Sequence, residues 1–171
     1  MADADTNYGN VSDFKTYWNS RNQQTAIVEF SDDEITAALL ISSSYIDAAF
    51  RSQFMGLKTD GRDQLLEWPR IGVQDIYGYA IPNDVPPREV INATYECAFR
   101  QLQTPGIFFK DYTPSKYKSV AISGAVTAVF AIGSAYEFQT QSPQIGAILT
   151  PILTGLGMGS FSPLSGASGR S

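Results

Sequence analysis

SDDEITAALLISSSYIDAAF, residues 31–50, opens on Ser31-Asp32-Asp33-Glu34. Ser31 and Glu34 stand three residues apart, the spacing at which each side chain satisfies the other's backbone N–H in a capping box. The three acids lie where the positive end of a helix dipole favours negative charge. Behind the cap, Ile35, Leu39, Ser42, Ile46, Ala49 and Phe50 recur at steps of three and four, and Leu40, Ile41 and Tyr45 widen the stripe. The pattern predicts a central helix running from the cap to about Phe54. A divalent-cation or acid/base site is the sharper reading of Asp32, Asp33 and Glu34, but a helix N-terminus accounts for them without a ligand.

Working outward, the first ten residues are polar and small and predict a flexible arm, 1–10. Ser12 suits an N-cap, with Asp13 in the first turn and Phe14, Tyr17 and Trp18 at helical spacing, which predicts a short helix from Ser12 to Arg21. Ala26 to Phe30 is an apolar connector. On the other side, Gly56, Gly61, Pro69, Gly72, Gly78, Pro82 and Pro86 interrupt residues 56–86, leaving a structured loop region with a short hairpin around Tyr77 to Ile81. Pro86-Pro87 opens a second long helix, with Val90, Ile91, Thr94, Cys97, Ala98, Gln101 and Leu102 on one face, to about Gln103. After Thr104-Pro105-Gly106 the period becomes two. Tyr117, Ser119 and Ala121 alternate with Lys118, Val120 and Ile122, and Val126, Ala128, Phe130 and Ile132 continue, which predicts a hairpin over about 116–132 turning at Ser123-Gly124. Ser142-Pro143 caps a last short helix, Gln144 to about Leu153. The expected fold is mainly α: a small antiparallel helical bundle, 11–153, with a β-hairpin and extended N- and C-terminal arms, the latter a Gly/Ser-rich tail over 154–171.

The totals constrain function. A chain of 171 residues with 43% apolar content builds one core. Twelve Lys and Arg against 17 Asp and Glu give a net charge of −5, the wrong sign for gripping phosphates. Histidine is absent, which removes the commonest general base and zinc ligand, and Cys97 is the sole cysteine. With Ala98 and Phe99 beside it, Cys97 reads as a small buried apolar group rather than a nucleophile. The expectation is a protein with no catalytic site, no metal and no cofactor. Gly155-x-Gly157-x-Gly159 lacks the lysine, strand and helix of a phosphate loop. The N-terminus has no basic and apolar run of a secretory signal, and Val120 to Tyr136 is interrupted by Ser123, Gly124, Thr127, Gly133 and Ser134, so neither export nor a membrane span is expected.

Candidate contact residues are few. Lys116 and Lys118, near Tyr112 and Tyr117, suit either nucleic acid or a solvated face. Trp68-Pro69-Arg70 is either a recognition element, because Trp and Arg are enriched in interface hot spots, or a stiff corner that plugs a core. In the tail, Met158, Phe161 and Leu164 are isolated apolar anchors, Pro163 stiffens the chain between the last two, and Arg170 is available for an ion pair.

Tyr17-Trp18, Tyr45-Ile46-Asp47, Leu66-Glu67-Trp68-Pro69-Arg70-x-Gly72, Ile81-Pro82-x-x-Val85-Pro86 and Glu96-Cys97-Ala98 occur in that order. They are followed by Lys118-Ser119-Val120, Gly124, Val126-Thr127, Ser142-Pro143 and Ile148-Leu149-x-x-Ile152-Leu153. Over about residues 11–153 this series resembles the head-to-tail connector (adaptor) family of tailed bacteriophages, which includes phage proteins labelled DnaT-like single-stranded-DNA-binding. The resemblance implies a structural virion protein in a closed, dodecameric ring at the neck, assembled in the bacterial host cytoplasm. Its implied partners are copies of itself, the portal protein and a tail or tail-terminator (nozzle) protein, with DNA as passing cargo. Trp68, Arg70 and the tail residues Met158, Phe161, Pro163, Leu164 and Arg170 are then the partner-binding candidates. The alternative is a single-stranded-DNA-binding protein of a phage, which requires aromatics interleaved with cations.

Overall fold

The capped segment forms the predicted central helix. The computed structural model describes residues 6–109, 117–123, 125–130 and 143–153, and among these five α-helices follow one another along the chain. They are α1 (Val11–Asn19), α2 (Gln24–Val28), α3 (Asp32–Phe50), α4 (Arg88–Gln103) and α5 (Pro143–Leu149).

In α3 the capping box is complete: the Glu34 N–H donates to Ser31 Oγ at 3.3 Å, and the Ser31 N–H donates to Glu34 Oε2 at 2.8 Å. Ile35, Leu39, Ser42, Ile46 and Phe50 are buried, as the spacing predicts, and so is Ala38, while Leu40 is exposed. A 3₁₀ turn, Arg51–Gln53, tightens the end of the helix and delivers Phe54 to the core. Pro87 stands before α4, where its missing N–H costs nothing. α4 packs along α3 and carries α5 on another side. At the start of α1 the cap is Asn10 rather than Ser12; its side-chain oxygen accepts the Asp13 N–H at 2.9 Å. The expected connector at Ala26 is instead part of the five-residue helix α2, which buries Ile27.

Residues 56–86 hold a ladder too short for periodicity to reveal. β1 (Leu57–Lys58) pairs antiparallel with β2 (Arg70–Ile71), in the register Leu57–Ile71 and Lys58–Arg70. Gly56, at φ +71, makes the approach possible, because a Cβ there would meet the Ile71 carbonyl oxygen at 2.2 Å. Around Tyr77 no hairpin of regular strands forms; an isolated Gln74–Ala80 bridge closes a loop. The second hairpin is as predicted: β3 (Tyr117–Ser123) and β4 (Ala125–Phe130) pair antiparallel from Ser123–Ala125 outward, with a register shift between Tyr117 and Ser119. After α5, a 3₁₀ turn, Thr150–Ile152, brings Leu153 into an antiparallel bridge with Phe54.

The core has two lobes. One gathers Ile46, Phe50, Phe54, Trp68, Val90, Cys97, Ile145, Leu149 and Ile152; the other gathers Phe14, Trp18, Ile35, Leu39, Tyr95, Ala98 and Phe99. α4 supplies residues to both, so it joins the α1–α2 end to the α5 end. The architecture is the expected mainly α bundle with a β-hairpin. The N-terminal arm differs from expectation next to the bundle, because Tyr8 is fully buried in the first lobe. Residues 1–5, the hairpin's Gly124 and the tail from 154 lie outside the described residues. Among the described residues no helix is long and apolar enough to cross a membrane.

Candidate nucleic-acid interface

Residues 51–85 sit on the bundle through a buried polar knot. The Tyr8 hydroxyl donates to Asp47 Oδ1 at 2.6 Å and accepts the Trp68 N–H at 3.1 Å, while Asp47 Oδ2 accepts the Glu67 N–H at 3.0 Å. The Tyr8 N–H donates to Ser43 Oγ at 2.9 Å. Burial, and then the neighbouring Asp47 charge, hold the Tyr8 phenol far above its usual value, so it stays a neutral donor. Chain start, central helix and loop region are thus fastened at one point.

A second fastening surrounds Arg70. Its guanidinium donates to the carbonyls of Met55 at 2.7 Å, Gly56 at 2.8 Å and Glu67 at 3.2 Å, and to Glu67 Oε2 at 2.8 Å. Glu67 also draws Lys58 Nζ to 3.4 Å and Arg51 Nε to 4.0 Å. The Arg70 donors are therefore consumed inside the fold, whereas the Arg51 side chain is 62% exposed and Arg62 is exposed on the 3₁₀ turn after β1.

The same stretch of chain exposes apolar side chains. Of the nine large hydrophobic residues exposed among the described residues, seven fall here: Leu57, Leu65, Ile71, Ile76, Tyr77, Tyr79 and Val85. The two tyrosines, 76% and 73% exposed, stand on a loop with a fixed backbone. Asp75 organises it: Oδ1 accepts the N–H groups of both Tyr77 and Tyr79 at 2.9 Å, and the Asp75 N–H donates to the Tyr79 carbonyl at 2.9 Å. Gly78, at φ +85, closes the turn by donating to the Asp75 carbonyl at 2.9 Å. The loop is held from below by Ile76 N–H to the Pro151 carbonyl at 2.9 Å and Ile81 N–H to the Val73 carbonyl at 3.0 Å. Thr59 Oγ1 donates to the Asn83 carbonyl at 2.8 Å and ties the segment that carries Arg62 to the end of this loop.

Other tyrosines with described side chains are engaged within the molecule. Tyr8 and Tyr95 are buried; Tyr45 stacks on Phe108 at 4.2 Å between ring centroids. Tyr17 donates to Glu96 at 3.1 Å beneath the Arg21 guanidinium, its phenol pushed up to about 12 mainly by burial.

The sequence-derived candidates separate clearly. Trp68 is 1% exposed and meets Phe54 edge to face at 5.5 Å, so of its two readings the structure bears out the core plug; its peptide bond to Pro69 is cis. Arg70 is 8% exposed, with its guanidinium bonded to Met55, Gly56 and Glu67, so in the single chain both residues are buried. Cys97 is buried, and burial pushes its thiol up to about 12, which leaves it inert at neutral pH. The acid cluster is the helix cap, with Asp32 paired to Lys15. Met158, Phe161, Pro163, Leu164 and Arg170 lie outside the described residues, as do Tyr112 and Lys116, while Tyr117 and Lys118 are placed by backbone alone. Tyr77 and Tyr79 were not singled out from the sequence, although an aspartate two residues before a Tyr-Gly-Tyr triplet is the signal of an Asp-organised turn.

A family model described as "Putative DnaT-like ssDNA binding protein" matches residues 1–165. No curated protein and no solved structure matches the chain. The family match overturns the connector reading. The family is described by single-stranded-DNA binding, which points to DNA as a ligand rather than cargo passing through a ring. The portal protein, the tail or tail-terminator protein and the closed connector ring are withdrawn with it. Net charge misled that reading: a charge of −5 argues against phosphate-driven binding, but base stacking does not depend on net charge.

Proposed function

This chain belongs to the DnaT-like ssDNA-binding family, and from that membership we propose that it binds single-stranded DNA without reading its sequence. The observation that carries the reading is the family match along 1–165; the exposed tyrosines on a fixed loop support it. Unpaired bases offer π faces that aromatic rings stack on, whereas bases in a duplex already stack on each other. The reading is one of binding without a chemical step, which the lack of histidine and the burial of the one thiol support.

Competition tests the preference. A labelled single strand bound to the protein is challenged with the same sequence, unlabelled, either single-stranded or annealed to its complement. The single strand displaces the label and the duplex does so at much higher concentration. Equal competition by the duplex removes the proposal.

A further inference from the structure

Within the single-stranded-DNA reading, on which this inference rests, we infer that Tyr77 and Tyr79 form a two-ring stacking subsite for unpaired bases. Exposed tyrosine rings have their aromatic faces open to a ligand, and these two, unlike the other tyrosines with described side chains, are neither buried nor in ring contact among the described residues. The hydrogen bonds centred on Asp75, with the anchors to Val73 and Pro151, fix the backbone before any ligand arrives, so little ordering cost attends binding.

The local charge decides which force dominates. Arg51, Lys58, Arg62 and Arg70 lie in the same stretch as Asp60, Asp63, Glu67, Asp75 and Asp84, and Arg70 and Lys58 are drawn to Glu67. Few cations are left for phosphates, so the rings carry the affinity and the salt dependence is shallow. Every base has a π face, so the subsite tolerates any sequence.

The test compares the parent, Tyr77→Ala/Tyr79→Ala and Tyr77→Phe/Tyr79→Phe by fluorescence anisotropy with labelled oligothymidine, with light scattering of each protein alone. Both side chains are exposed, and circular dichroism checks that each variant folds like the parent. The alanine pair weakens binding by roughly tenfold or more, while the phenylalanine pair, which keeps the rings, binds like the parent. Parent binding that is unchanged in the alanine pair overturns the subsite and leaves the family reading standing; a parent that does not bind at all removes both. An alanine pair that shifts the oligomeric state while DNA affinity stays unchanged assigns the rings to a second copy of the chain and also overturns the subsite.

Discussion

The Tyr8 hydroxyl accepts the Trp68 N–H and donates to Asp47, so one oxygen joins segments separated by 39 and 60 positions. Tyr8→Phe keeps the ring and leaves two buried polar partners unsatisfied, which costs about 1–3 kcal/mol and lowers the melting temperature. Trp68→Ala, which empties a fully enclosed site, costs about 3–5 kcal/mol in the same denaturation experiment. Asp47 adds a pH dependence. Burial holds its carboxyl above the usual range, against the opposing pull of the Tyr8 and Glu67 hydrogen bonds. The folded state thus keeps this proton where the unfolded chain has lost it, so the Asp47 contribution is most favourable below about pH 4 and declines as pH rises through the carboxyl range. Asp47→Asn removes that titration, and urea denaturation at stepped pH should show the stability of the parent relative to the variant falling across this window. Trp68 as a core plug was one of the two readings its Trp-Pro step allowed, but the Tyr8–Asp47–Trp68 link was not legible, because a hydrogen bond between distant polar residues leaves no periodic trace; composition near the chain start suggested an arm.

At the scale of elements, legibility followed the range of the interactions. The α3 cap depends on residues three apart, the α4 start on adjacent prolines, and the β3–β4 hairpin on strict alternation, and each was readable from a short window. Ser31→Ala should destabilise the protein by about 1 kcal/mol, seen as an earlier urea midpoint with an unchanged slope. β1 and β2 were not legible, since two residues per strand give no alternation and their pairing rests on Gly56 admitting the Ile71 carbonyl. α2 was missed for a similar reason: five residues are too few for a helical period. In the candidate interface, the glycines and prolines revealed a loop region, but what fixes the tyrosine loop is the Asp75 side chain acting on its own neighbours.

For the whole molecule, hydrophobic patterning identified the bundle and its hairpin, whereas function was read through net charge and through resemblance to a connector. Net charge sums over residues that never meet a ligand. Arg70, a cation by count, is spent on three backbone carbonyls and Glu67, while Tyr77 and Tyr79 add nothing to the charge and dominate the exposed aromatic surface that is described. An acidic protein that binds single strands through rings should lose little affinity as salt rises. The most direct test is a fluorescence-anisotropy titration of labelled oligothymidine with the parent protein, repeated from low to physiological salt. The account predicts saturable binding throughout, with a slope of log affinity against log salt equivalent to only about one to three phosphates. No saturable binding even at low salt would contradict it.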